Sequence, residues 1–536
     1  MSDEAATLAE LVEAKACELG NARFLTFEDR ELSFADLDQK SNAMANGLAM
    51  LGVGPGVGVA ILMGNSPEWL LTFIGIEKLG AYAVPVNVAL KGDGLRHVLD
   101  HSDASVVVLS CAYTEVFCAI SDRLPRLRAV VVDESQAPRD WVRPKDWTPL
   151  AGLCDAPSSR PGSVIDSSAI STIMYTSGTT GSPKGVVSRY GDLNLAGIRA
   201  LGGMLEADDV LYTCLPLFHA NALWLTTIRA LACDLPVVLS RRFSAGKFWD
   251  DMRLYGVTTF NALGAMVPIL LKQPERSDDS DNPVRIVFSA ACPASVWAEF
   301  ERRFGVRIVE GYAAVDGGGF VVMNFGQSPK GSIGKPFNPY RIVDDEDHDV
   351  PAGEPGELLF KIDDAAHRKV EYYKDIAASQ AKVSGGWFRS GDLVRADADG
   401  NLYFVDRKSD SVRRRGENIS SWEVERVLNE HPAVMESAVF GVPSELGEDE
   451  VMAIVVPKEG CDLSAPDLVV FARERIASFM VPRFVEFRRE LPKTETHRVR
   501  KAELKREGVG PRTWDLESPP TRDSAHASAE ARPAEH

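Results

Sequence analysis

Apolar positions recur along the chain with two alternating periods. Residues 7–20 and 33–51 carry them at helical spacing, with Ser33 as N-cap of the second helix and Asp36 in its first turn. Gly52 closes that helix, and 57–63 reads as an apolar strand. A helix over 67–79, a strand at 81–86, a helix at 93–101 and a strand at 104–110 follow. Such alternation predicts a mainly parallel, helix-covered sheet, an α/β fold. Residues 134–168, rich in Pro, Ser and Asp, read as a loop. A strand at 170–175 comes next, then a further α/β alternation with strands at 208–215, 284–289 and 306–310. From 331 to 399 short strands and Gly/Asp turns predict a β-rich subdomain. A last unit has helices at 421–430 and 465–478 and strands at 433–442 and 450–457, enough for a small α+β domain. The expected organisation is a large N-terminal domain over 1–406, its β-rich part at about 331–406, and a C-terminal domain over 407–515. Residues 516–536 have no periodicity and are expected to be disordered.

Composition narrows the function more than the fold. A chain of 536 residues is too long for one simple core, in line with two or more domains. A net charge of −18 leaves no basic surplus for a nucleic acid partner. Eight cysteines without CxxC spacing read as reduced core residues of a cytoplasmic protein. The Met1-Ser-Asp-Glu4 start lacks the basic and apolar regions of a signal peptide, and no apolar run reaches the ~18 residues that span a bilayer, so no membrane partner is expected.

The stretch with the most chemistry is 176–185, Thr-Ser-Gly-Thr-Thr-Gly-Ser-Pro-Lys-Gly, directly after a strand. Its glycines and hydroxyls leave backbone N–H groups open to a phosphate, and Lys184 adds a positive charge. Gly185 after Lys184 rules out a Walker A loop. Strands also open into loops at 289–293 and 311–319, and in open α/β sheets ligands gather at such openings. The three openings are candidates for one shared crevice.

Order and spacing make 176–185 similar, almost letter for letter, to the phosphate-binding signature of the adenylate-forming enzymes. The resemblance covers about 20–505. Asp406-Arg-Lys408 and Arg414-Arg-Gly-Glu-Asn-Ile419 bring it nearest to acyl-CoA synthetases of the crotonobetaine/carnitine-CoA ligase type. It implies an acyl-adenylate made from a carboxylic acid and MgATP, followed by rotation of the C-terminal domain about a hinge at Ser409 and transfer of the acyl group to coenzyme A. It further implies that Thr176, Ser177, Gly178, Thr179, Thr180, Gly181 and Lys184 wrap phosphate, and that Ala290, Ala291, Gly311 and Tyr312 hold adenine. Asp392 would accept both ribose hydroxyls, as an ionised carboxylate can, with Arg407 beside it. His219 would border the acyl site and gate the thiol, although a histidine after an apolar strand is most often a satisfied core residue. Arg414, Arg415, Gly416 and Glu417 would meet coenzyme A; a basic run there also suits a solvated face. Lys184, His219 and Arg498 fall on the catalytic positions.

The departures from the pattern are informative. Where the family has Tyr-Gly-X-Thr-Glu, this chain has Tyr312-Ala-Ala-Val-Asp316. Val315 has no hydroxyl for the α-phosphate. Asp316, at the metal position, is one methylene short, roughly 1.5 Å of reach, and magnesium tolerates little misplacement. Near the C-terminus Arg498 stands where the family has its adenylation lysine, and a planar guanidinium does not replace a compact ammonium. All three changes affect adenylation. The reading is therefore an acyl-CoA ligase whose adenylation half-reaction is weak or absent and which passes a supplied acyl-AMP to coenzyme A. ATP and Mg²⁺ would be cofactors only if adenylation is retained. A separate adenylating enzyme becomes a possible partner. Small residues near the acyl position, Ala220 and Gly317 among them, suggest a bulky apolar acid, and the chain has some resemblance to CoA ligases of platensimycin-type diterpenoid pathways. The alternatives are a complete ATP-dependent ligase, an adenylation enzyme that loads a carrier protein, and a degenerate binding module.

Overall fold

Local chemistry starts the helices where the pattern places them. Thr7 and Ser33 each close a capping box, with Glu10 and Asp36, at the heads of helices Leu8–Leu19 and Phe34–Met50. Ser66 caps helix Pro67–Lys78, which has its proline in the first turn. The computed structural model describes residues 6–176, 183–201, 203–263, 266–317, 321–362, 369–408, 411–414, 417–443, 449–476, 478–494 and 499–517, with the side chains of 413, 417 and 418 excepted.

The chain divides into two units, one of residues up to Tyr340 with Phe360–Ser390, the other of Arg341–Leu359 with the chain from Gly391 on. In the first unit a seven-stranded sheet runs in the order Thr148–Pro149, Ala129–Asp133, Ala104–Ser110, Gly58–Leu62, Tyr82–Pro85, Ile170–Thr176, Lys184–Arg189. It is parallel except for the last pair. A nine-stranded sheet has a parallel centre of Val237–Leu239, Leu211–Thr213, Thr259–Leu263, Ile286–Ala290 and Arg307–Ala313. Antiparallel strands Val321–Asn324 and Lys335–Pro336 complete it at one side; at the other Arg23–Phe27 pairs parallel with Val237–Leu239 and antiparallel with the edge strand Arg30–Ser33. One apolar core, including Trp69, Phe73, Phe260, Trp297 and Phe300, packs against both sheets.

The second unit carries a four-stranded sheet of Val434–Pro443, Asp449–Pro457, Phe484–Phe487 and Trp514–Asp515, covered by helices Ser421–Asn429 and Ala465–Arg473. It differs from expectation at both ends. Residues 341–359 and 391–406 belong with it, because Glu357 accepts from Gly391 N–H and ion-pairs with Lys408, which also meets Asp345. At the far end Leu516 N–H bonds to Arg483 O and Glu517 pairs with Arg483, so the fold continues past 515. The remainder of the stretch expected to be disordered, 518–536, lies outside the described residues.

Other expectations are corrected. The hairpin at 23–33 was not visible as a strand signal, since its residues take their place only by pairing with Val237–Leu239. Within the 134–168 loop, helix Leu150–Cys154 docks so closely on Gly47 that a Cβ there would stand 2.6 Å from Leu153 O. The helix expected to reach 478 stops at Arg473. Cys111, Cys214 and Cys292 are buried, but Cys17, Cys118, Cys154 and Cys461 are exposed, so a core role holds for only part of the set; all eight are free thiols. Among the described residues no helix is long and apolar enough to cross a membrane.

Candidate functional site

The hairpin Ile170–Thr176/Lys184–Arg189 brackets the loop singled out above, with Thr176 opposite Lys184. Gly185 is required there: a Cβ would stand 2.7 Å from Ile173 Cγ2 and 3.1 Å from the Tyr175 ring. The segment 371–373 runs beside the outer strand, tied by Val187 N–H to Glu371 O at 2.9 Å and Tyr373 N–H to Gly185 O at 2.7 Å. Arg189 grips Glu371 through bonds of 2.7–3.3 Å. This places the Tyr372 ring 5.3 Å from Lys184 Nζ, which also lies 3.4 Å from Asp375 and stays partly open to solvent. Ser177, Gly178, Thr179, Thr180 and Gly181 lie outside the described residues.

Tyr372 connects this opening to a second. Its hydroxyl donates to Asp316 Oδ2 at 2.5 Å, and Lys382 Nζ lies 3.1 Å from the same oxygen. Lys382 is fixed in turn by a 3.1 Å bond to Ser390 O. Burial acts to raise the Asp316 carboxyl, but the Lys382 ammonium and Tyr372 hydroxyl outweigh it and hold the group below its ordinary value. Asp316 is therefore an ionised carboxylate whose counter-ion is a protein side chain. The residues present do not fit a magnesium site, because a divalent ion on this carboxylate would crowd a fixed ammonium. Among the described residues no cluster of three or more His, Cys, Asp or Glu is placed to hold a metal. Val315 turns inward against the apolar core.

Glu310, fully buried, organises the third opening. Its carboxyl accepts from the N–H groups of Ala291 and Cys292. Ala291 sits at φ 68°, a left-handed conformation that costs a non-glycine residue free energy. The Glu310 bonds hold the 290–292 turn in that shape; Gly311 and Tyr312, expected in a loop, continue the strand Arg307–Ala313, and the chain turns only after Ala313 towards Asp316. Burial pushes the Glu310 carboxyl up to about 7 against the pull of the two N–H donors. Tyr372 thus links Lys184 to Asp316, and Glu310 links the 291–292 turn to the strand that leads towards Asp316.

His219 ends the loop after strand Leu211–Thr213 and stands at the N-cap of the helix that starts at Ala220. Asn65, buried at the end of strand Gly58–Leu62, holds that loop from the other sheet. Its Nδ2 donates to Leu215 O and Ser240 O, each at 2.9 Å, and its Oδ1 accepts from Leu217 N–H at 2.9 Å. The His219 ring lies against Phe218, its Nε2 is buried without a hydrogen-bond partner, and burial pushes its pKa down to about 4. It is a neutral imidazole with one unused nitrogen.

In the second unit Asp392 and Arg407 face each other across paired strands, Arg407 Nε 3.8 Å from Asp392 Oδ1. Asp406 next to them accepts from the Ser421 N–H and hydroxyl at 2.7 and 2.8 Å, anchoring helix Ser421–Asn429. Arg414 is a correction. It is 6% exposed, its Nε stands 2.6 Å from Glu450 and its Nη1 donates to Phe479 O and Val481 O, so it braces the domain interior and has no free guanidinium to offer coenzyme A. Lys493 is paired with Glu436 at 2.5 Å and Lys501 with Glu425 at 2.8 Å. Ser409, Arg415, Gly416, Arg498 and the side chain of Glu417 lie outside the described residues.

Sequence reasoning passed over Tyr372, Lys382, Asn65 and Glu310. An acid closing the apolar strand before Gly311 was a usable signal for Glu310. Tyr372 and Lys382 carry none, since they reach Asp316 across more than fifty residues of chain.

The chain was also compared with known proteins. The family model described as AMP-binding enzyme matches residues 12–366, and that of the AMP-binding enzyme C-terminal domain matches 423–498. Crotonobetaine/carnitine–CoA ligase of Salmonella heidelberg (strain SL476) is 31% identical over 507 residues, 91% of this chain and 96% of its own. The crystal structure of the anthranilate CoA ligase AuaEII with anthranoyl-AMP is similar at a TM-score of 0.83 and 27% identity, covering 94% of this chain and 98% of that one. The o-succinylbenzoate CoA synthetase of Bacillus subtilis with its acyl-adenylate gives 0.78 and 25%, covering 92% and 97%.

Proposed function

Since the chain belongs to the AMP-binding, adenylate-forming family and is an acyl-CoA ligase that works through an acyl-adenylate, we propose that it carries out mainly the second half of that reaction. In this step the thiol sulfur of coenzyme A bonds to the acyl carbon and the bond from that carbon to the phosphate oxygen breaks. AMP leaves with the electron pair, and the thiol proton passes to solvent. The acyl-adenylate is already activated, so the step calls for positioning more than for a metal.

The observation that carries the reading is the Lys382–Asp316–Tyr372 cluster, in which the carboxylate at the metal position is already neutralised. Val315 adds to it by offering apolar surface where a hydroxyl would meet the α-phosphate. At the other end of the chain Arg498 stands in place of the lysine. Lys493 and Lys501, the lysines near it in sequence, are both committed to ion pairs and so poorly placed to substitute. Each misplaced electrostatic group costs on the order of 10²-fold in rate. The acyl-adenylate would then come from a separate adenylating enzyme. The small residues Ala220, Ala222 and Gly317 favour a bulky, mainly apolar acyl group, a polycyclic acid included.

The test supplies coenzyme A with ATP and a carboxylic acid panel in one tube and with the matching synthetic acyl-AMPs in another. Thioester is expected only in the second, with no ATP–pyrophosphate exchange. Efficient thioester formation from ATP refutes the reading. The double substitution Arg498→Lys/Val315→Thr is expected to restore measurable exchange. A complete ATP-dependent ligase is the second reading, favoured by the partly exposed Lys184 at an intact loop, and pyrophosphate exchange by the wild type would establish it.

A further inference from the structure

The helix after His219 contains a buried cation with no acid to balance it. Arg229 is 3% exposed, and among the described residues no carboxylate pairs with it. Its guanidinium lies 4.2 Å above the Phe288 ring, Nη2 donates to Asn261 Oδ1 at 3.2 Å, and Nε is buried without a hydrogen-bond partner. A buried unpaired cation is costly, and an aromatic face with one amide offsets only part of that cost.

The hydrogen bonds around it run in one direction. Arginine can only donate, so the Asn261 atom facing it is the oxygen. The Asn261 nitrogen therefore faces outward, and it donates to Asn221 Oδ1 at 2.9 Å. That leaves the Asn221 amide N–H₂, half-exposed, as the outer end of the chain. Among the described residues both ends of the chain, the unpartnered Arg229 Nε–H and the half-exposed Asn221 amide N–H₂, are donors. A ligand that completes this network must bring an acceptor.

The fold ties the network to His219, the residue expected to border the acyl site, and to the strand that ends at Ala290. Asn261 and Phe288 are direct partners in adjacent parallel strands, so they share a sheet face, and Ala290, two residues on, shares it too. Ala290 is thus one strand repeat, roughly 6.6 Å, above Phe288. Asn221 is two residues past His219. In a regular α-helix Asn221 and Arg229, eight apart, would stand roughly 80° apart around the axis. The intervening Leu223–Ile228 segment is π-helical instead, with Thr226 and Thr227 hydroxyls bonded to the carbonyls of Asn221 and Ala222. The wider turn brings both residues to Asn261. π-Helical turns recur at functional sites for this kind of re-aiming.

We propose that the Arg229–Asn261–Asn221 chain is an anchor for the far end of the acyl group, and that the substrate is a bulky acyl-adenylate carrying a distal oxygen acceptor, a ketone or a second carboxylate. This rests on the acyl-CoA ligase reading and adds to it. It also separates the chain from acids with a quaternary ammonium, such as carnitine, whose cation Arg229 would repel.

The test uses acyl-AMPs of one carbon skeleton ending in a ketone, a carboxylate, a hydrocarbon or a trimethylammonium group, with thioester formation as one readout. Binding of the corresponding non-reactive acyl sulfamates, followed by calorimetry, is the second. The wild type is expected to favour an acceptor over the hydrocarbon by roughly 10- to 100-fold in kcat/KM and in affinity, and to reject the ammonium. A ketone optimum identifies a neutral acceptor, a carboxylate optimum an ion pair. Arg229→Met, folded by circular dichroism, should bring the acceptor-to-hydrocarbon ratio to about 1. If Arg229→Met does not fold, Asn221→Leu at its half-exposed position should lower the ratio. Equal handling of acceptor and hydrocarbon by the wild type, or an unchanged ratio in a folded variant, overturns the anchor. If no acyl-AMP is turned over, the ligase reading fails, while sulfamate binding still decides the anchor.

Discussion

Replacing Lys382 by methionine should raise the affinity of the Asp316 carboxylate for a divalent cation by removing the ammonium that now neutralises it. Lys382 Nζ stands 3.1 Å from Asp316 Oδ2. An ion on the other carboxylate oxygen, about 2.1 Å away, would lie roughly 5–7 Å from that ammonium. Repulsion between charges of +2 and +1 over this range is about 5–7 kcal/mol at an effective dielectric of 20. The two side chains are 22% and 17% exposed, and solvent screening reduces the figure to roughly 2–4 kcal/mol. Lys382→Met is thus expected to tighten Mn²⁺ binding by roughly 30- to 700-fold. Mn²⁺ titration followed by electron paramagnetic resonance reads this directly, without turnover. Adding Asp316→Asn should remove the gain. The single variant should also lose about 1–2 kcal/mol of stability, because a mostly buried carboxylate is left with only Tyr372. Equal Mn²⁺ affinity in wild type and Lys382→Met would show that the ammonium is not what excludes the ion.

Three further outcomes follow from buried groups. His219 titrates at about 4 because of burial, so the folded chain binds fewer protons there than the unfolded chain between pH 4 and 6.5, and stability falls as pH drops through that window; His219→Phe should flatten this part of the melting-temperature profile. Glu310 has the opposite sign: burial raises it to about 7, so stability falls as pH rises from about 4.5 to 7. Glu310→Gln should remove that slope and cost about 1–2 kcal/mol by leaving the N–H of Ala291 or Cys292 without an acceptor, measured by calorimetry at pH 5 and 8. Asn65→Ala breaks three bonds to the 215–240 region and should cost about 2–4 kcal/mol in urea unfolding, with a larger fall in kcat than in KM for acyl-AMP as the His219 loop loosens.

Much of the architecture was legible because it rests on short-range rules. Capping at Ser33 and Ser66 and the apolar runs at 58–62 and 104–110 depend on neighbours a few residues away. Loop letters and order single out Lys184, Asp316 and Ala291, and the structure links Lys184 to Asp316 through Tyr372 and fixes Ala291 through Glu310. Hairpin 23–33 was not legible, because its strands exist by pairing with a strand two hundred residues on. Arg414 was misread for a similar reason: a basic run looks alike whether it faces solvent or Glu450.

Sequence alone therefore determined the family, the order of its elements and the three substitutions that bear on adenylation, since each is a matter of which residue stands at a known place. Tertiary structure alone decided what surrounds those places. That Asp316 meets an ammonium, that Asn65 pins the His219 loop, and that Arg229 is buried with only donors left free are results of packing between distant segments. Charge and hydrogen-bond capacity are written in the sequence, but the partner that satisfies them or leaves them open is chosen by the fold.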